Sequence, residues 1–447
     1  MPGGLMQLNY APSAQAEYIF GNPQITFWKA AYRRHTNFAM ESKELTDYST
    51  TPNFGVITTY TIPRDTADLV HKMYFETTLP DPGASDICYC PYPGEQLLKK
   101  MELLIGGTNI DTQYSDWLHV WNELSLNTEQ KLTYELMVGQ RKNLVIDSSG
   151  GIISVPLQFW FCKNAGLALP RKALENTDVK LTITFEGRDK MGRNQNTSSG
   201  MAASTLASNL DLASSKLFAD FIYLDTDESR RFLATRHEYL IEQVQVAPGI
   251  DGHAVQSSGN TTLKLNFNHS VKELIWITKN DSITSSASST GVNDHFNYSR
   301  GMNADDAANE YERLRIHTTS ENVAGNLTLR DDPMSVAKIT FNGDDRLSSG
   351  TRNAQYFNLV QPYYHHTGHA SPGIYVYSFA LRPEEYQPSG TVNMSRIDDV
   401  KLVMSFNGST QNKLITFAVS YNILIITDGL ANLVWSRTGC KICIYNY

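Results

Sequence analysis

The sequence predicts an all-β protein built as two consecutive antiparallel β-sandwiches, with an eight-stranded jelly roll the favoured form of each. Three observations predict it. Apolar and polar residues alternate at period two along much of the chain, helix signals are few, and one order of hallmarks occurs twice. At 447 residues the chain exceeds one typical domain. Apolar residues make up 41%, enough to fill cores and to exclude global disorder. Tyrosine (23) and phenylalanine (18) are abundant, which favours strands.

In chain order, GNPQITFWKAAYRRHTNFAMES (21–42) sets Arg33, Arg34 and His35 among aromatic residues. The formal charge of −8 provides no basic field for coating nucleic acid. Phe27, Trp28, Tyr32 and Phe38 are therefore expected to anchor this segment to the first sandwich, not to stack bases. In DLVHKMYFETTL (68–79), Leu69, His71, Met73 and Phe75 face one side, as in a half-buried strand. Tyr114, Trp117, Leu118, Trp121 and Leu124 fall at helical spacing, and NTEQKLTYELMVG (127–139) suggests a second helix; both are insertions between strands. VPLQFWF (155–161) and IYVYSFAL (374–381) are apolar on both faces, so each reads as a strand covered by its own core and by a neighbour. VKLTITF (179–185) and TLKLNFN (262–268) alternate cleanly. Polar stretches at 187–215 and 278–314 read as long exposed loops.

The repeat ties these pieces together. IGGTNI (105–110) precedes VPLQFWF and then the DVKL segment beginning at Asp178; FNGDDRL (341–347) precedes IYVYSFAL and then the DVKL segment beginning at Asp399. One architecture built twice explains the shared order, with a break near 224–243.

Several motifs together carry a family resemblance. The opening stretch, with GGLMQL (3–8), resembles the start of the major capsid proteins of large icosahedral DNA viruses, the chlorella virus and iridovirus group. ELLIGGTNID (102–111), GLALPRKAL (166–174), FIYLDTDESRRF (221–232), LNFNHSVKELIW (265–276), YFNLVQPY (356–363) and GIYVYSFALRPEEYQPSGTVNMSRID (373–398) are similar to the same family, in order. The resemblance implies a double jelly roll with short helical insertions. The divisions expected are an arm (1–24), a first roll (25–224), a linker (225–236), a second roll (237–431) and a tail (432–447). It further implies a homotrimer whose six rolls imitate a hexagon, neighbouring capsomers, minor capsid proteins, and an inner viral membrane nearby without a span in this chain. No direct nucleic-acid contact, and assembly in the host cytoplasm into the virion shell, complete the expectation. Arg33 and Arg34 are candidates for pairing with carboxylates or for contact with a neighbouring capsomer. The tail NLVWSRTGCKICIYNY runs past where the family usually stops.

No catalytic residue, cofactor or metal site is expected. MPGGLMQLNY lacks a signal-peptide pattern, and no run of 18 apolar residues exists. Five cysteines do not make a disulfide framework; Cys440 and Cys443 with Cys88 and Cys90 would form a zinc site only if four ligands converged. His365, His366 and His369 lie in a loop-like segment without the His-x-His…Glu pattern of cupin metalloenzymes. LDTDES (224–229) lacks the glycine and closing glutamate of a calcium loop, and reads as a charged turn. Gly343-Asp344-Asp345 is hairpin chemistry. Of eight Asn-x-Ser/Thr triplets, Asn280 and Asn297 fall in the long second-half loop and are the glycan candidates. The alternative to a shell protein is a carbohydrate-binding β-sandwich, such as a viral attachment or minor capsid protein.

Overall fold

The computed structural model describes residues 3–8, 14–82, 87–139, 151–194, 202–249, 251–255, 260–280, 293–298, 319–321, 327–329, 332–347, 350–406 and 412–435. The chain separates into two compact units, Met1–Asn37 and Phe38–Tyr447. The first unit carries two short helices, Gly3–Leu8 and Ala14–Phe20. In it Phe27, Trp28 and Tyr32 are 86%, 95% and 92% exposed.

The second unit is all-β with a few helices. Its first half contains β1 (Phe38–Glu44), β2 (Ile57–Ile62), β3 (Leu69–Leu79), β4 (Leu98–Ile105), β5 (Thr108–Tyr114), β6 (Gly151–Pro156), β7 (Val179–Phe185) and β8 (Ala213–Leu224). They form two antiparallel sheets, ordered β1-β8-β3-β6 and β2-β7-β4-β5. Its second half contains β9 (His237–Ala247), β10 (Asn260–Lys264), β11 (Ser270–Asn280), β12 (Met334–Phe341), β13 (Asp344–Asp345), β14 (Ile374–Ser378), β15 (Val400–Phe406) and β16 (Asn412–Thr427). The sheets are β9-β16-β11-β14 and β10-β15-β12-β13. Each strand of the second half occupies the place of the strand numbered eight lower in the first. The connectivity is that of two successive jelly rolls.

The duplication extends to register. Val179 lies opposite Ile105 and Leu181 opposite Leu103, as Val400 lies opposite Phe341 and Leu402 opposite Ile339. Both hairpins turn through two residues of positive φ, Gly106 and Gly107 at 59° and 77°, then Asn342 and Gly343 at 51° and 95°. Such turns match the twist of paired strands. In each roll the amide entering the turn bonds to the DVKL aspartate carbonyl: Gly106 to Asp178 at 2.9 Å and Asn342 to Asp399 at 2.8 Å. Alternation holds in β7, where Val179, Leu181, Ile183 and Phe185 are buried, and in β3 from His71 to Leu79.

Three expectations change. The strand read at 155–161 ends at Pro156; Trp160–Lys163 is a helical turn, and Leu157, Phe159, Trp160 and Phe161 are buried as core plugs. Residues 225–236 hold a helix, Thr226–Ala234, because Asp225 caps it and Ser229 bonds to Asp68 at 2.6 Å. Parts of the supposed loops are packed: Gly192–Asn194 pairs with Ile87–Tyr89, and residues 293–298 are buried.

The sheet β9-β16-β11-β14 is covered twice. Tyr375 and Tyr377 of β14 enter the second roll's own core, while Ile374 and Val376 join a core continuous with the first roll. Trp276 against Ile275 and Ile277 in β11, and Ala418 against Phe417 and Val419 in β16, divide in the same way. The expected double covering of IYVYSFAL is therefore met inside the chain.

Candidate functional site: the junction between the rolls

The outer face of that sheet is met by the first roll's helical insertion, α1 (Ser115–Ser125), followed by α2 (Thr128–Val138). α2 starts with a capping box between Asn127 and Gln130. In α1, Trp117 and Trp121 stack at 5.5 Å between ring centres, and Trp117 lies 5.5 Å from Phe417 of β16. The polar face of α1 is buried as well. Asp116 pairs with Lys279 of β11 at 2.6 Å and accepts the Tyr298 hydroxyl at 3.0 Å. His119 Nδ1 lies 2.7 Å from Glu95, which also accepts the Tyr134 hydroxyl at 2.6 Å. Burial alone would lower the His119 pKa, but Glu95 raises it above its ordinary value. Glu123 holds Lys131 at 2.8 Å and accepts Ser371 Oγ at 2.7 Å.

Beside α1 lies an ion cluster. Glu242 of β9 pairs with Lys163 at 2.8 Å and with the fully buried Lys272 of β11, whose Nζ also donates to the Pro383 carbonyl. Lys163 sits over the Trp121 ring, 4.0 Å from its centre. Burial would raise the Glu242 pKa, yet the two lysines pull it down to about 2. A buried carboxylate with two cations stays charged at neutral pH, and a paired charge is strongly held once its partners are fixed.

The second roll also straps α1. Residues 356–365 are helical, not the loop expected around the histidines, and the chain then extends. His366 is buried with Nε2 3.1 Å from Glu273 and Nδ1 3.0 Å from Glu384. Gly368 donates its amide to Leu124 O at 2.7 Å. A Cβ at Gly368 would lie 2.4 Å from Glu123 O and 2.7 Å from Leu124 O, both backbone atoms. Gly368→Ala is expected to cost about 1–3 kcal/mol by overpacking this crossing, visible as a lowered Tm; an unchanged Tm would contradict the close approach.

Other features named from the sequence do not converge. Arg33 and Arg34 are exposed in the first unit. Asn280 and Asn297 are 4% and 5% exposed, so glycan attachment at either requires the packed segment to open. Cys88 and Cys90 are buried thiols, the latter pushed up to about 12 by burial; Cys440 and Cys443 lie outside the described residues. Among the described residues, no cluster of three His, Cys, Asp or Glu side chains could hold a metal. A groove of about 400 Å³ is lined by Val360, Pro362, Tyr363, Tyr364 and His369, with both tyrosines exposed. The junction was largely missed by sequence reading, since each half of its charge pairs looks like a surface residue. The one signal was the two-faced strand IYVYSFAL.

Comparison with known proteins agrees with this architecture. Residues 26–225 match the family described as major capsid protein N-terminus, and 228–432 match large eukaryotic DNA virus major capsid protein. The chain is 40% identical to the major capsid protein of Pyramimonas orientalis virus, covering 98% of this chain and all of that one. It is 35% identical to that of Paramecium bursaria Chlorella virus 1, covering 100% of this chain and 96% of that one. The crystal structure of PBCV-1 VP54 superposes with a TM-score of 0.75 at 30% identity, over 92% of this chain and 100% of that one. The Faustovirus major capsid protein, 12% identical, shares the fold with a TM-score of 0.65 over 94% and 96%.

Proposed function

This chain belongs to the major capsid protein family of large eukaryotic DNA viruses, structural proteins of the virion, and from that premise we propose that three copies close into a capsomer that tiles the shell as a pseudo-hexagon. The observation that carries this reading is the identical strand order of the two rolls. Cyclic closure of three copies places six similar sandwiches around one axis, provided each pair is held rigidly. The doubly covered sheet and the junction's ion pairs support that rigidity. Leu132, Leu136 and Met137 of α2 with Ile152, Tyr363, Tyr364 and Leu381 leave apolar surface for contacts between copies.

In the same reading, residues 25–224 and 237–431 are the tile-forming rolls, joined through 225–236 and flanked by the arm 1–24 and tail 432–447. Arg33 and Arg34 reach a neighbouring capsomer, and minor capsid proteins bind between capsomers. Assembly proceeds in the host cytoplasm beside an inner membrane. Among the described residues, no helix is long and apolar enough to cross that membrane. The role is structural, with no catalysis.

Light scattering of the purified chain is expected to give three times its 50.1 kDa mass, with threefold plates in electron micrographs. A monomer that binds sugars would overturn the proposal in favour of a carbohydrate-binding sandwich. Arg33→Ala with Arg34→Ala is expected to leave the trimer intact and weaken shell formation; normal shells would remove the contact role.

A further inference from the structure

The segment 361–371 of the second roll crosses the C-terminal end of α1 and is fixed by contacts at both ends. Glu384 receives His366 Nδ1 at 3.0 Å, the Thr367 amide at 3.0 Å and the Thr367 hydroxyl. Gly368 and Ser371 then bond to Leu124 O and to Glu123 of α1, each at 2.7 Å. A bulge between Val271 and Glu273 interrupts the β11 register beside this crossing. Both side chains of the His366–Glu273 pair are fully buried.

We propose that His366 is a proton-operated latch: its imidazolium holds the strap between two carboxylates, and loss of that proton frees the strap from α1 and loosens the coupling of the rolls.

The surrounding charges make this step consequential. β11 contributes Lys272 and Glu273, β9 contributes Glu242, the turn after β6 contributes Lys163, and the loop after β14 contributes Glu384. α1 and α2 add the paired Glu123 and Lys131. On the strap itself, His365 Nδ1 lies 3.1 Å from Leu381 O, and burial lowers the His369 pKa. Charged His366 with Lys163 and Lys272 balances Glu242, Glu273 and Glu384. Neutral His366 leaves one buried carboxylate uncompensated, which is costly.

Burial would lower the His366 pKa, but Glu273 and Glu384 push it up to about 9. A group raised in the folded state gives its full stabilisation below its unfolded pKa near 6.5 and loses it as pH rises through about 9. The latch is therefore closed at neutral pH and opens on the alkaline side.

Hydrogen exchange of the full-length protein between pH 7 and 10, corrected for intrinsic rates, tests this. Peptides covering 361–371 are expected to lose protection tenfold or more with a midpoint near pH 9, while β7 stays protected. In His366→Gln the strap is expected to be poorly protected at pH 7 and insensitive to pH. Glu384→Gln is expected to shift the midpoint downward, and it serves alone if His366→Gln does not fold. Constant protection of the wild-type strap, or a midpoint unmoved in Glu384→Gln, would overturn the latch.

Discussion

Trp117→Ala is expected to split the denaturant unfolding of this chain into two transitions. Trp117 is fully buried, stacked on Trp121 and packed against Phe417, so it joins the helical insertion of one roll to the sheet of the other. Truncating a buried tryptophan costs about 3–5 kcal/mol through lost contact and a residual cavity. Because this loss falls on the core shared by the rolls, it removes their coupling more than either sandwich's own stability. The wild type is expected to unfold in one cooperative step, followed by far-ultraviolet circular dichroism and by tryptophan fluorescence. Trp28→Ala, at a 95% exposed position, is the control and should change stability by less than about 0.5 kcal/mol. A single transition in Trp117→Ala, coincident with wild type, would mean that the rolls are not coupled through this contact.

Glu242→Ala is the second large effect, and it is asymmetric. Removing Glu242 leaves Lys163 and Lys272 facing each other without their shared carboxylate, and Lys272 has no exposure to water. Breaking a buried pair in this way costs about 3–5 kcal/mol. Lys163→Ala removes a partly exposed cation while Lys272 still neutralises Glu242, so about 1 kcal/mol is expected. Denaturation midpoints of the two variants check the order; equal losses would show that the cluster is dominated by packing. The pH dependence follows from the lowered Glu242 pKa. Its contribution is complete above the ordinary carboxylate value of 4.5 and is lost as pH falls toward about 2. Glu242 therefore bounds the junction on the acid side and His366 on the alkaline side.

Sequence reading succeeded where structure is local. The alternation in Val179–Phe185, the glycine turns at 106 and 343 and the two DVKL strands are all set by neighbours along the chain or across one hairpin. Their repetition was enough to anticipate two like sandwiches. VPLQFWF failed because four aromatic or aliphatic residues fill a core equally well from a strand or from a helical turn, and Pro156 ends the ladder.

By itself, then, the sequence determined the alternating strands, their buried faces and the doubling of the fold, since period-two burial and turn chemistry are properties of adjacent residues. Only the tertiary structure decided that α1 is buried on its polar side. Asp116 and Lys279 are 163 residues apart, and nothing in either one's surroundings along the chain records the other. Which element covers the outer face of β14, the pairing of Glu242 with Lys163 and Lys272, and the burial of His366 were decided at the same level. A buried charge is tolerable only beside its partner, and that partner arrives when the second roll packs against the first.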